Sequence, residues 1–229
     1  MLTTLFPQSE MVPDWRWGNL AGGYNLIMAD PPWHFALWSA EGEEKSPQAH
    51  YDTMTLADIM ALRVDYLAAP DCLLWLWATA PMLPQALEVL AAWRFAYVTM
   101  GCWHKTTLHG RTQFGPGYVL RSAGEPYLIG KRGKPKTTHA TRNIVVGEVR
   151  EHSRKPEAAY RDAEALMPDA RRLDLFSRAS RPGWDAWGHE TGKFDQGGDD
   201  AAGARVVVRR SAGRAGSRAA GTDVRGPLL

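Results

Sequence analysis

"NLIMADPPWHF", residues 25–35, joins an apolar run to a carboxylate, two prolines and an indole within eleven positions. Its first half reads as a strand buried on both faces, because the apolar residues run on without alternating with polar ones. Such strands belong to parallel or mixed sheets covered by helices, and ligands bind at their carboxyl ends. Asp30 stands at that end. Pro31 and Pro32 each fix φ near about −65° and carry no N–H, so the carbonyls before and between them should be free acceptors. Trp33 adds a flat face beside them. A rigid acceptor pair next to a stacking plane suits a planar heterocycle bearing an exocyclic NH2, whose two hydrogens it can grip. An adenine N6 amine is such a group, and it is a poor nucleophile while its lone pair is delocalised into the ring.

Outward from this stretch, strands and helices alternate. Residues 24–29, 72–79, 96–104, 126–133, 143–149 and 171–178 read as strands. Residues 56–69, 82–93 and 155–168 carry helical periodicity, the last beginning on Lys-Pro. The pattern predicts an α/β fold, a doubly wound sheet with helices on both faces.

The 229 residues are 45% hydrophobic and 23% charged, enough for one sizeable core, which we place over 1–192. Residues 193–229 are rich in Gly, Ala and Arg, with seven basic and four acidic side chains, and read as a disordered tail. Ten tryptophans are more than a core of this size is expected to hide, so some should be free to stack. Cys72 and Cys102 lie in apolar runs without metal-ligand spacing, which reads as buried thiols in a reducing compartment and no metal site. The N-terminal stretch lacks signal-peptide character, and no run approaches the ~20 apolar residues of a membrane span. A cytoplasmic protein, monomer or homodimer, is expected.

The net charge of +2 says little, but its distribution says more. Between residues 105 and 142 there are eight basic side chains and one acid, Glu125. Clustered Lys and Arg supply the sequence-independent part of nucleic-acid affinity.

Taken together, these stretches resemble the MT-A70 family of adenine N6-methyltransferases, in its smaller bacterial and phage type. "ADPPW" is similar to that family's catalytic motif, "YDTMTLADI" (51–59) to the segment after it, and "LLWLWAT" (73–79) to its next strand. "GYVLRSAGEPYLIGKRGKP" (117–135), "REHSRKPEAAY" (150–160) and "LDLFSRASRPGWDAWGHE" (173–190) resemble later blocks of the family in the same order. The catalytic block precedes the cofactor block, as in circularly permuted Rossmann-like methyltransferases. No Gly-x-Gly-x-x-Gly is then required after the first strand.

The resemblance implies S-adenosylmethionine as cofactor and places Asp30, Pro31, Pro32 and Trp33 at the catalytic step. It implies a cofactor site of Asp30, Lys155, Asp174, Phe176, Arg178, His189 and Glu190, with Trp187 nearby and His152 and Ser153 as helpers. Lys155 would meet the cofactor's carboxylate, and Asp174 its ribose. The family usually has glutamate at the position of Asp174 and asparagine at that of His189. Substrate contacts would come from Trp33, Tyr51, Glu125, Lys131, Arg132, Lys134 and Lys136, with Trp38 or Tyr51 helping to hold an extruded base. The substrate would be a nucleic acid, DNA rather than RNA. A catalytically silent nucleic-acid-binding relative and a small-molecule amine methyltransferase are the alternatives.

Overall fold

A computed structural model describes residues 17–18, 20–34, 53–150, 154–188 and 191–195. Tyr51, His189 and Glu190, the helpers His152 and Ser153, Trp38, and residues 196–229 of the expected tail lie outside the described residues. In chain order the elements are β1 (Tyr24–Ala29), α1 (Leu56–Met60), α2 (Val64–Leu67), β2 (Ala68–Trp77) and a 3-10 turn at Ala80–Met82. They continue as α3 (Leu83–Ala92), β3 (Ala96–Thr106), β4 (Gly124–Arg132), β5 (Ile144–Glu148), α4 (Glu157–Leu166), β6 (Arg172–Leu175) and β7 (Trp184–Trp187). The strands form one seven-stranded sheet in the order β5-β3-β4-β2-β1-β6-β7.

Side-chain alternation along β1 divides the core. Ile27 and Ala29 face a cluster with α1, α2 and α3, while Leu26 and Met28 face one with α4. Both faces are thus covered, and each fully buried aliphatic side chain contributes about 1.5–3 kcal/mol. β1 has parallel neighbours on both sides, β2 close to it in sequence and β6 far from it. The chain order therefore reverses at β1, which is where open α/β sheets bind ligands. β6 and β7 are parallel, as are β3 and β5, whereas β4 runs antiparallel to both β2 and β3. That single reversal brings the start of β4, not its end, to the edge where the other strands finish.

Three sequence expectations change. The helix over 56–69 is two short helices broken at Ala61–Arg63. Thr55 caps the first by accepting from the Asp58 N–H at 3.1 Å. The break lets Arg63 bind the buried Asp65 at 2.9 Å. β7 is an addition to the expected strands, because its Asp185 interrupts a short apolar run; the carboxylate accepts from the Tyr24 hydroxyl at 2.6 Å and is satisfied inside the fold. Lastly, seven of the eight described tryptophans are buried, so indole faces are core material here rather than stacking planes.

Cys72 and Cys102 are both free, and burial pushes the Cys72 thiol up to about 12. Among the described residues no helix is long and apolar enough to cross a membrane.

Candidate active site

Asp30 is the first residue beyond β1, and its N–H donates to the Leu175 carbonyl at 3.3 Å, tying the turn to β6. The Trp33 N–H then folds back to the Pro31 carbonyl at 2.8 Å, closing a three-residue turn. The Pro32 carbonyl accepts from Met54 at 2.9 Å. The Pro31 carbonyl is therefore not wholly free, as the sequence suggested: one lone pair is used and one remains. Trp33 differs more. Its ring is 5% exposed and its indole N–H donates to the Trp77 carbonyl at 3.2 Å, so it anchors the turn instead of presenting a face.

Beside Asp30 runs a chain of alternating charges. Lys155 Nζ lies 2.8 Å from Asp30 Oδ2 and 2.7 Å from Glu125 Oε1, and Glu125 Oε2 lies 2.8 Å from Lys105 Nζ. The ammonium of Lys155 also sits 5.4 Å from the centre of the Trp77 ring, a cation–π contact inside the protein. Its place follows from sequence. Pro156 disfavours helical backbone at Lys155 and is itself extended as the N-cap of α4, so the lysine projects at the sheet's edge.

Burial would raise the Glu125 carboxyl, but the ammonium groups of Lys155 and Lys105 outweigh it and bring it down to about 2. Burial likewise disfavours the charge on Lys155, yet Asp30 and Glu125 hold its pKa above the ordinary lysine value. Asp30 moves up, because the surrounding protein costs its charge more than Lys155 returns, although 27% of its side chain remains exposed.

The other half of the site comes from β6. Asp174 is buried, accepts from the Tyr160 hydroxyl at 3.0 Å, and has the Ser177 hydroxyl 2.9 Å away. Desolvation raises its carboxyl to about 6 despite Arg181 and these hydroxyls. Phe176 follows in the left-handed region at φ 64°, unusual for a bulky residue and worth a functional look. Its ring packs edge-on against Trp187, with centroids 5.6 Å apart. Gly188 makes that turn possible, since a Cβ there would lie 2.6 Å from the Ser177 carbonyl oxygen.

Asp30, Lys155, Asp174, Phe176 and Arg178 thus line one cleft, joined by Arg154, Tyr160, Ser177, Arg181 and Phe194. Its free volume is about 30 Å³, and the Arg154 guanidinium packs 5.1 Å from the centre of the Phe194 ring at its margin. The donor set matches S-adenosylmethionine in kind: a carboxylate for ribose hydroxyls, cations for a carboxylate, and an aromatic ring for a purine. Arg181 Nε is buried without a hydrogen-bond partner among the described residues, a donor that such a ligand can use. Of Lys155's three N–H groups, two are committed to Asp30 and Glu125, so one remains for a further acceptor.

Four expected substrate residues are not brought here. Arg132 pairs with Cys72 midway along β2, five residues back from Trp77, or about 17 Å along the strand from the level of Asp30. Lys131 is its neighbour, and Lys134 and Lys136 lie beyond. They border the opposite edge of the sheet, where Arg132 donates to the Asp65 carbonyl at 2.7 Å. Lys131 and Lys134 instead line a groove of about 500 Å³ with Val98, Met100, Tyr127 and Arg142. Conversely, sequence reasoning left Tyr160, Ser177 and Arg181 without a role. Ser177 stands three residues after Asp174 and Tyr160 five after Lys155, spacings that look ordinary until the two elements are packed together.

The chain is 32% identical over 181 residues to an N(6)-adenosine-methyltransferase MT-A70-like protein of Arabidopsis thaliana, covering 75% of this chain and 24% of that one. It is 29% identical over 185 residues to the type II methyltransferase M.MunI of a Mycoplasma species, covering 73% of this chain and 77% of that one. The human N(6)-adenosine-methyltransferase catalytic subunit METTL3 is 29% identical over 198 residues, which are 81% of this chain and 32% of that one. The chain thus spans a quarter to a third of the plant and human relatives' length. The MT-A70 family profile matches residues 24–190, the span from β1 through β7 that builds the cleft, and the chain belongs to that family.

Proposed function

We propose that the chain transfers a methyl group from S-adenosylmethionine to the N6 amine of adenine in DNA. The observation that carries this reading is the pairing of Asp30 with Lys155 and Glu125 at the turning point of the sheet, next to a cleft suited to the cofactor. S-adenosylmethionine, when bound, supplies an electrophilic methyl group. Asp30 Oδ2 is held by Lys155, which leaves Oδ1 and the spare lone pair of the Pro31 carbonyl to accept the amine's two hydrogens. Gripping both hydrogens draws the nitrogen towards sp3 geometry and localises its lone pair for attack. Because Lys155 favours the charged form of Asp30 and fixes its position, these acceptors are in place before the charge develops, the arrangement that costs least at the transition state. The partly exposed carboxylate gives the displaced proton a route to solvent. Asp174 would hold the ribose, Phe176 would cover the purine, and Arg178, His189 and Glu190 would complete the pocket. Free thiols at Cys72 and Cys102 fit a reducing, cytoplasmic setting.

DNA is favoured over RNA because the match to the type II methyltransferase runs over 77% of that protein's length. A small-molecule amine is the second reading, favoured by the distance of Lys131, Lys134 and Lys136 from Asp30. Labelled S-adenosylmethionine with duplex DNA, single-stranded DNA, RNA or simple adenine nucleosides, followed by nucleoside analysis, separates these. Label in N6-methyladenine from DNA, abolished by Asp30→Ala, is the expected result. Transfer to free nucleosides alone would favour the second reading.

A further inference from the structure

The loop between β3 and β4 is anchored beside the active site. Lys105, near the end of β3, is paired with Glu125 at the start of β4, and Glu125 shares Lys155 with Asp30. From 107 to 123 the loop holds its own shape. Arg111 and Thr107 bond across one turn, and the Gly115 N–H reaches the Ser122 carbonyl at 2.8 Å across the next. Gly117 is needed inside that second turn, because a Cβ there would lie 1.9 Å from the Leu120 carbonyl oxygen.

This folded tip carries what a soluble surface ordinarily hides. Val119 is 95% exposed and Leu120 82%, with Leu108, Phe114 and Tyr118 also outward. Arg121 stacks over Phe114 at 4.1 Å, and residues 106–124 contain no Asp or Glu. An apolar point flanked by cations, with no acidic side chain, suits insertion between stacked bases while Arg111 and Arg121 meet the phosphates. We propose that Val119 and Leu120 enter a base-paired duplex as a wedge and help extrude the adenine that Asp30 receives, an inference resting on the reading of the chain as a nucleic-acid methyltransferase. A paired adenine has one N6 hydrogen committed to its thymine and its ring held in the stack, so an enzyme that grips both hydrogens must open the pair, whereas a single strand presents the base without that cost.

The test compares the full chain with Val119→Ala/Leu120→Ala on one random-sequence DNA pool, offered as duplex and as single strand with labelled S-adenosylmethionine. Thermal melting checks that the variant is folded. On the duplex the variant should lose about ten-fold or more in kcat/KM, while single-strand methylation stays within about two-fold. Equal losses on both substrates, or an unchanged duplex rate, would overturn the wedge. Sedimentation showing that the parent is a dimer and the variant a monomer would also overturn it, by making the tip a protein contact. A parent that methylates neither pool defeats the underlying reading and the wedge together, an outcome visible before any variant is made.

Discussion

Lys155 is the residue on which most of the site converges. Its ammonium is buried between two carboxylates, so removing it does more than delete a ligand contact. Asp30 and Glu125 would be left crowded together without their shared counter-charge, and breaking a buried ion pair by removing one partner costs about 3–5 kcal/mol. Lys155→Ala should therefore lose methyl transfer and, even in the absence of cofactor, melt markedly lower. A variant that melts like the parent but binds S-adenosylmethionine weakly would show that the lysine serves only the ligand. Asp174 predicts a pH signature. Burial raises its carboxyl from 3.8 to about 6, so the folded state holds the proton more tightly than the unfolded chain does. Its contribution to stability is complete below about 3.8 and is lost as pH rises through 6, at about 1.4 kcal/mol for each pH unit between the two values. Asn resembles the protonated form at all pH values. Asp174→Asn should accordingly melt higher than the parent at pH 7.5 and equally at pH 4. On the proposed role of Asp174 at the ribose, cofactor affinity should run the other way, rising through pH 6 in the parent as the carboxyl ionises and staying flat in the variant, which calorimetry at several pH values checks.

At the scale of the element, the turn after β1 is fixed by its tryptophan. Trp33 is packed into the core and bonded to the Trp77 carbonyl, so Trp33→Ala should cost about 3–5 kcal/mol of stability, read by urea unfolding. Loss of base affinity at unchanged stability would restore the stacking role expected from sequence. Hydrophobic pattern locates six of the seven strands, because continuous apolar runs such as "LIMA" and "LLWLW" suit burial on both faces and little else. It misses β7, where the four residues Trp184–Trp187 include a carboxylate whose partners are a tyrosine and an arginine remote in sequence. It also joins α1 and α2, since Asp65 looks like a solvent-facing helical residue until Arg63 and Arg94 are seen to hold it. Within the site, "DPPW" announces Asp30 and its rigid turn. The partners Lys155 and Glu125 are legible as residues, but their contact depends on β4 being reversed, which no periodicity reveals.

For the whole molecule, that reversal sorts the basic window into two groups. Lys105, Arg111 and Arg121 belong to the edge that carries Asp30, while Lys131, Lys134 and Lys136 belong to the opposite edge. The first group lies on the edge that a nucleic acid whose adenine reaches Asp30 would approach. Arg111→Ala/Arg121→Ala should flatten the log–log salt dependence of DNA binding by up to about two units, at ~0.9 per phosphate contact. Lys131→Ala/Lys134→Ala/Lys136→Ala should leave the slope unchanged, and filter binding over a salt series measures both. The reverse outcome would mean that the nucleic acid wraps across the sheet. The hairpin that bears Arg111 and Arg121 has one more consequence. Its two ends are neighbours in an antiparallel ladder, and its turns carry backbone hydrogen bonds to one another and to the ends of those strands. It is therefore an exchangeable cassette: a different sequence of another length can be grafted between Thr106 and Gly124 while the catalytic edge stays as it is, so the target of the enzyme can diverge in one short segment without renegotiating the rest of the protein.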